Sequence, residues 1–121
     1  MQPKTILVVD DDRSIRRLLS EQLKELGYRC VTVSNGQEAL ARLAQQGVGL
    51  VLLDVSMPGM SGLDVLRRVR TDHPRTRVVM LTALADTGLA TQALRLGADD
   101  YMTKPYTLKE LTSRVERALG N

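Results

Sequence analysis

The strongest constraint on the fold is the stretch VGLVLLDVSMPGMSG, residues 48–62, in the middle of the chain. Its first six residues are almost entirely apolar, which is typical of a strand buried on both faces of a parallel sheet. The apolar run ends abruptly at Asp54, and Pro58, Gly59 and Gly62 then mark a loop. This stretch therefore predicts a central strand that displays a carboxylate at the edge of the sheet.

Three other short segments have the same form, a β-type run followed by polar residues. TILVV (5–9) leads into Asp10, Asp11 and Asp12, RVVML (77–81) leads into Thr82, and DYMT (100–103) leads into Lys104. Parallel strands place their carboxyl ends along one rim, where ligands of open α/β sheets bind. We therefore expect three acids, a hydroxyl and an ammonium group to face one another.

Helical periodicity separates these strands. The first predicted helix runs from Asp12 or Arg13 to Leu26, and a second strand occupies residues 29–33. Ser34 or Asn35 is expected to cap a second helix that continues to about Gln46. The residues predicted to face the core are Ile15, Leu18, Leu19, Leu23 and Leu26 in the first helix, and Leu40, Leu43 and Ala44 in the second.

Three more helices follow the central strand. Ser61 is expected to cap the third helix, which ends at His73-Pro74, and Asp86 or Thr87 to cap the fourth. The apolar residues of the fourth and fifth helices are Leu89, Ala93, Leu94 and Leu96, and Leu108, Leu111, Val115 and Leu119.

Five βα units in succession predict an α/β fold, a doubly wound parallel sheet of five strands with helices on both faces. The chain of 121 residues is expected to form one domain, and it is too short for a barrel of eight units.

Composition excludes several classes of function. No apolar run approaches the roughly 20 residues that span a bilayer, no signal peptide is expected, and Cys30 has no cysteine partner, so we expect a cytoplasmic protein. The net charge of +3 is spread along several segments. Three tyrosines are the only aromatic residues, so direct binding to nucleic acid is not expected.

The clustered acids suggest a specific chemistry. Two carboxylates at about 4 Å repel by about 4 kcal/mol at an effective dielectric near 20, so such a cluster takes up protons or binds cations. Lys104 supplies one positive charge, and oxygen ligands of this kind suit Mg²⁺. The only histidine is His73, so no zinc cluster is expected. A carboxylate that faces a cation and a lysine can attack phosphorus to form an acyl phosphate.

Four motifs, taken in order, carry a family resemblance: ILVVDDD (6–12), VLLDVSMPGMSG (51–62), VVMLTA (78–83) and GADDYMTKPY (97–106). With them the whole chain resembles the response-regulator receiver domains of two-component, His-Asp phosphorelay signalling. The resemblance implies a flavodoxin-like fold with the strand order 2-1-3-4-5.

The resemblance also implies a role for each matching residue. Asp54 is the expected phosphoacceptor, and Lys104 contacts the phosphoryl group through an ammonium aimed by a cis Lys104-Pro105 bond. Thr82 and Tyr101 form the expected switch pair. The expected Mg²⁺ ligands, for which Mn²⁺ can substitute, are Asp10, Asp11, Asp54 and the backbone carbonyl of Ser56. Asp12 is expected to be a helix cap or a charge at the rim rather than a metal ligand.

The implied function is a switch rather than an enzyme that turns over a diffusible substrate, although the domain assists its own phosphorylation and dephosphorylation. The implied phosphodonor is a sensor histidine kinase or a phosphotransfer protein. The output surface is the face of the fourth helix, fifth strand and fifth helix, which binds an effector domain or a second copy. GADDYMTKPY and Arg114 also resemble receivers of winged-helix transcription factors, which pair through that face. A free-standing receiver and one excised from a longer regulator look the same in this sequence.

Three other hypotheses remain open. A degenerate receiver would act as a phosphorylation-independent interaction module. A Mg²⁺-dependent phosphatase with an aspartyl intermediate would need a second aspartate two residues after the nucleophile, where this chain has Ser56. A flavin-binding module is disfavoured by the acidic rim and by the absence of Trp and Phe.

The chain departs from the resemblance at two positions. Tyr106 occupies a position where phenylalanine is usual, which leaves the packing under the last loop to be established. Leu84, two residues after Thr82, is bulky and apolar, and we predict that it slows loss of the phosphoryl group by excluding water.

Overall fold

The computed structural model describes residues 4–45, 47–83 and 86–120. In these residues strands and helices alternate strictly along the chain. The elements are β1 (Thr5–Val9), α1 (Arg13–Glu25), β2 (Arg29–Val33), α2 (Gly36–Leu43), β3 (Val48–Asp54), α3 (Gly62–Asp72), β4 (Arg77–Ala83), α4 (Thr87–Arg95), β5 (Asp100–Lys104) and α5 (Leu108–Leu119).

The strands form one parallel sheet in the order β2-β1-β3-β4-β5. The predicted α/β class and the strand order 2-1-3-4-5 are therefore confirmed. Val9 of β1 lies beside Leu53, and Asp54 lies beside Leu81 of β4. Because this register aligns the strand ends, the residues that follow each strand meet at one edge of the sheet.

Each strand contributes alternate residues to two cores, one on either face of the sheet. On one face Leu7, Val51 and Met80 pack with the buried residues of α2, α3 and α4. On the other, Ile6, Leu52 and Leu81 pack with those of α1 and α5. Burial on both faces explains why β1, β3 and β4 have continuous apolar sequences.

Short polar side chains begin most of the helices. Asn35, rather than Ser34, caps α2, and Ser61 caps α3 in a reciprocal box with the side chain of Asp64. Thr107 and Glu110 form the same box at α5. At α4 the N-cap residue is Asp86, whose side chain makes no capping hydrogen bond.

Some predicted core positions are wrong. Leu18 is 45% exposed, because Leu19 and Leu23 occupy the side of α1 that faces the sheet. Ala44 is exposed because α2 ends at Leu43. The predicted end of this helix, at about Gln46, falls on a residue outside the described part of the chain. Leu94 and Leu108, which the sequence analysis names only as apolar residues of the last two helices, are 41% and 48% exposed, and Leu108 lies one turn before the first buried residue of α5. Within the described ranges, no helix is long and apolar enough to cross a membrane.

Candidate functional site

The ends of four strands build one site at the carboxyl edge of the sheet. Asp10 follows β1 directly, Asp54 is the last residue of β3, Thr82 lies near the end of β4 and Lys104 is the last residue of β5. The structure thus brings together the acids, the hydroxyl and the ammonium group that the sequence placed at strand ends.

Three carboxylates converge at this edge. Each of Asp10, Asp11 and Asp54 has a carboxylate oxygen that lies within 4.8 Å of those of the other two. Asp10 and Asp54 are buried, whereas Asp11 is exposed to solvent. An all-oxygen, open-sided set of this kind can hold a hard divalent cation that keeps several of its own waters.

Lys104 partly neutralises these acids. Its Nζ donates to Oδ2 of Asp10 at 2.8 Å and lies 3.6 Å from Oδ2 of Asp54. The Lys104-Pro105 bond is cis. Burial alone would lower the pKa of Lys104, but the hydrogen bond to Asp10 and the charge of Asp54 outweigh it, and the pKa is raised. The lysine is therefore held as an ammonium group.

The surroundings of the Asp54 carboxyl have opposing effects on its pKa. Burial and the charge of Asp10 raise its pKa from 3.8 to about 7, although Lys104 and the backbone N–H of Ser56 oppose the rise. That N–H donates to Oδ1 of Asp54 at 3.2 Å. In the metal-free site Asp54 thus holds a proton close to neutral pH, and an added cation would favour the ionised, nucleophilic form.

Hydrogen bonds hold Asp10 in place and give the Asp12 side chain a different role. Oδ1 of Asp10 accepts from the backbone N–H of Asp12 at 2.9 Å, and the guanidinium of Arg16 donates to the Asp10 carbonyl at 2.9 Å. The Asp12 side chain accepts from the backbone N–H groups of Ser14 and Ile15, so it caps α1, as predicted. Sequence reasoning missed Arg16, because its spacing from Asp10 matches no local motif.

A pocket of about 250 Å³ opens beside the acidic cluster. Its lining consists of Asp54, Val55, Ser56, Thr82, Ala83, Asp86 and Lys104. The Thr82 hydroxyl donates to the carbonyl of Ala83 at 2.8 Å, and the carbonyl of Asp86 lies 3.4 Å away. A carboxylate, an ammonium group and a hydroxyl thus surround a space for a small ligand. The sequence offered Asp86 only as one of two candidate caps of the fourth helix, with Thr87, and did not connect it with the site.

The start of α3 packs directly against the backbone of Asp54. A Cβ atom at Gly62 would lie 2.1 Å from the Asp54 carbonyl oxygen and 2.8 Å from the Cα of Val55. The N–H of Gly62 donates to the Val55 carbonyl at 3.0 Å. Glycine at this position therefore permits the close approach that holds the end of β3.

The two tyrosines near the site differ in their surroundings. Tyr101 is partly buried, packs against the core beside α2, α3 and α4, and is absent from the pocket lining. The hydroxyl of Tyr106 donates to Oε1 of Gln22 in α1 at 2.7 Å. Burial and the nearby charge of Asp10 raise the pKa of Tyr106 to about 12. Tyr106 thus fills the space under the last loop and joins it to α1. Leu84 lies outside the described residues.

A parallel sheet of this order, with an aspartate cluster and a lysine at its carboxyl edge, defines the receiver class of signalling domains. Residues 6–116 match the family described as response regulator receiver domain, and the chain belongs to that family.

Named relatives agree with this assignment. The chain is 41% identical over its full length to the DNA-binding transcriptional regulator NtrC of Salmonella typhimurium, covering 26% of that protein. It is 43% identical over 98% of its length to the uncharacterized transcriptional regulatory protein YkoG of Bacillus subtilis, covering 52% of it. The chain therefore spans between about a quarter and a half of these relatives.

Solved structures show the same fold. The receiver domain of NtrX from Brucella abortus matches with a TM-score of 0.92 and 35% identity, over 96% of this chain and 98% of that one. The BeF3-activated DrrB receiver domain matches with a TM-score of 0.88 and 36% identity, over 99% of this chain and all of that one.

Proposed function

We propose that this domain is a phosphorylation-controlled switch whose Asp54 accepts a phosphoryl group from a sensor histidine kinase or a phosphotransfer protein. The observation that carries the proposal is the position of the Asp54 carboxylate. It opens onto a small pocket, 3.6 Å from the Lys104 ammonium and within reach of two further carboxylates. A carboxylate that only caps the helix after its strand would need neither the lysine nor the two other carboxylates beside it.

The transfer itself is a substitution at phosphorus. A carboxylate oxygen of Asp54 attacks the phosphorus of a phosphohistidine, the P–N bond breaks, and an acyl phosphate forms as imidazole leaves. Lys104 offsets the charge on the transferred phosphoryl oxygens. Asp10, Asp11 and Asp54, with the Ser56 carbonyl, would hold Mg²⁺ or Mn²⁺, which supplies further charge neutralisation at those oxygens. The groups modify Asp54 itself, so we expect no turnover of a diffusible substrate.

Thr82 and Tyr101 would convert the new charge into a change of surface. The Thr82 hydroxyl now donates to a neutral backbone carbonyl. A phosphoryl oxygen on Asp54 is a stronger, charged acceptor, so the hydroxyl would turn toward it. Tyr101, on the neighbouring strand, would then change rotamer.

We expect the face of α4, β5 and α5 to respond and to bind an effector domain or a second copy of the chain. A cytoplasmic location is part of the proposal, since histidine kinases draw on ATP there. So is the assignment of residues 1–121 to one receiver domain, free-standing or part of a longer regulator.

Intact-mass spectrometry after incubation with acetyl phosphate tests the proposal. We expect one phosphoryl adduct that requires Mg²⁺, is absent from Asp54→Ala and is retained in Asp72→Ala, which removes an exposed carboxylate at the end of α3. An adduct that survives in Asp54→Ala would refute the site. No adduct on the wild type would favour the degenerate receiver that acts by binding alone.

A further inference from the structure

Asp86 is an acidic residue of the pocket whose side chain has no part in the phosphoryl transfer proposed above. It lines the pocket together with Asp54 and Lys104, and its backbone carbonyl lies 3.4 Å from the Thr82 hydroxyl. It is the N-cap residue of α4, yet its side chain caps nothing. Among the described residues it has no ion-pair partner, and it is partly exposed. Among the described residues, Asp86 is therefore an acidic member of the pocket lining with no positive partner of its own.

The other charges of the site can balance without Asp86. Asp10, Asp11 and Asp54 carry three negative charges, and Lys104 with a divalent cation would carry three positive charges. Asp86 then remains as the excess charge that an incoming anion meets. An aspartate side chain is short, so this charge stays close to the pocket whatever its rotamer.

The position of Asp86 at the start of α4 increases its effect. The N-terminus of a helix attracts anions, because unpaired N–H groups and the helix dipole favour negative charge there. Here the N-terminus of α4 borders the pocket that would receive a phosphoryl group. Asp86 is the N-cap residue there, so its negative charge opposes the attraction of the helix N-terminus for phosphate.

We propose that Asp86 determines which phosphoryl donors the site accepts. Its negative charge slows phosphoryl transfer to Asp54 from small, free, anionic phosphodonors. The inference rests on the proposed function of Asp54. Repulsion between like charges at the mouth of a site lowers the local concentration and the rate of entry of an anion, and salt weakens this effect. Small acyl phosphates of metabolism are donors of this class.

The test compares rates of Asp54 phosphorylation by acetyl phosphate at saturating Mg²⁺ and low ionic strength. We expect Asp86→Asn to react about threefold to tenfold faster than the wild type, the scale of a single charge close to the pocket. Raising the salt concentration should shrink the gain to less than twofold. With phosphoramidate, a donor of smaller net negative charge, the gain should also be smaller.

Three further variants separate an effect of charge from a change in structure. Asp86→Glu keeps the charge and should stay within twofold of the wild type. Asp72→Asn removes one charge from an exposed pair at the far end of α3 and should also stay within twofold. Asparagine is a good N-cap residue, and Asp86→Ser provides a second neutral cap of different shape that should react as fast as Asp86→Asn.

The proposal would be overturned if both neutral variants reacted at the wild-type rate, or if Asp72→Asn reacted as fast as they do. A gain that persists unchanged at high salt would also overturn it, because it would arise from a change in conformation. Failure of the proposed function itself gives a different result, since no variant, including the wild type, would then form an adduct at Asp54.

Discussion

Asp54 sits in a pocket that favours its neutral form until a cation arrives. Its carboxyl pKa rises from 3.8 to about 7 because the group is buried and faces Asp10. In the unfolded chain the same carboxyl ionises near its ordinary value. Between these two values the folded protein binds a proton that the unfolded chain has lost, so the free energy of unfolding decreases as pH rises from about 4 to about 7.

We therefore predict that Asp54→Asn stabilises the metal-free domain. At pH 8 the gain should be on the order of 2 kcal/mol, since one pKa unit corresponds to about 1.4 kcal/mol and solvent and relaxation reduce the full shift. The gain should fall toward zero near pH 4, and saturating Mg²⁺ should diminish it at pH 8. Urea unfolding in EDTA and in Mg²⁺ measures both. An Asn variant that is less stable than the wild type at pH 8 in EDTA would contradict the pKa argument.

The hydroxyl of Tyr106 gives a second prediction at the scale of one residue. Its hydrogen bond to Gln22 joins the loop after β5 to α1. Tyr106→Phe should lower the free energy of unfolding by about 0.5–1.5 kcal/mol, the usual net contribution of one such bond. Tyr28→Phe, at a partly buried tyrosine of the same core, should cost less. In a Gln22→Ala background, Tyr106→Phe should have little further effect, and two additive losses would mean that the bond contributes nothing.

The residues of the site were predictable to different degrees. Asp10, Asp54 and Lys104 could be placed together because parallel strands end at one edge, so their positions follow from the order of strands. Arg16 and Asp86 could not be placed at the site from the sequence, because their contacts depend on the path of a loop and on the direction of a helix. The pairing of Tyr106 with Gln22 was equally hidden, since 84 residues separate them.

Among the elements, β3 and α3 approach each other closely beside the site. Gly62 begins α3 against the backbone of Asp54 and leaves no room for a Cβ atom. Gly88, near the start of α4, has nothing within 4 Å of the equivalent atom. The two positions therefore form a matched pair in which the same substitution should have opposite effects.

We predict that Gly62→Ala lowers the free energy of unfolding by about 1–3 kcal/mol or more, because the helix must move away from the strand end. It should also slow phosphorylation of Asp54. Gly88→Ala should be neutral or stabilise by up to about 1 kcal/mol, since alanine restricts the unfolded chain and favours a helix. Denaturant unfolding and acetyl phosphate labelling of both variants decide the matter, and equal stabilities would contradict the close approach at Gly62.

The elements themselves were largely predictable, and the errors lie at their surfaces and ends. The apolar runs and alternating periods identify β1, β3 and α1 because burial on two faces or one face leaves a distinct pattern. Leu18 was predicted to be buried because a helical stripe is broad enough to include it. Its exposure follows from how α1 rotates over the sheet, which no local pattern encodes.

At the scale of the whole molecule, metal binding and stability should be linked. A ligand that binds the folded state alone stabilises it, by about 2.7 kcal/mol when its concentration is a hundred times the dissociation constant. We predict that Mg²⁺ raises the melting temperature of the wild type, because the carboxylates that would hold it come from the ends of both β1 and β3.

Two adjacent exposed aspartates provide a test variant and its control for this prediction. Asp11 belongs to the carboxylate cluster, whereas Asp12 caps α1 with its side chain. Asp11→Asn should lose most of the rise in melting temperature with Mg²⁺, and Asp12→Asn should keep it, since asparagine also caps helices well. Thermal unfolding across a Mg²⁺ titration measures both. If the two variants responded alike, general screening of negative charge would explain the effect.

The contact between Lys104 and Asp10 also affects when the site can form during synthesis of the chain. It joins residues 94 positions apart, so the first acid of the site emerges from the ribosome long before its lysine. A nascent chain that has completed β3 already carries Asp54 but lacks the ammonium group and the strand that delivers it. Under the function proposed for Asp54 and Lys104, competence for phosphorylation therefore arrives late in synthesis, and we expect a partial translation product or a fragment cleaved before β5 to be inactive rather than misregulated.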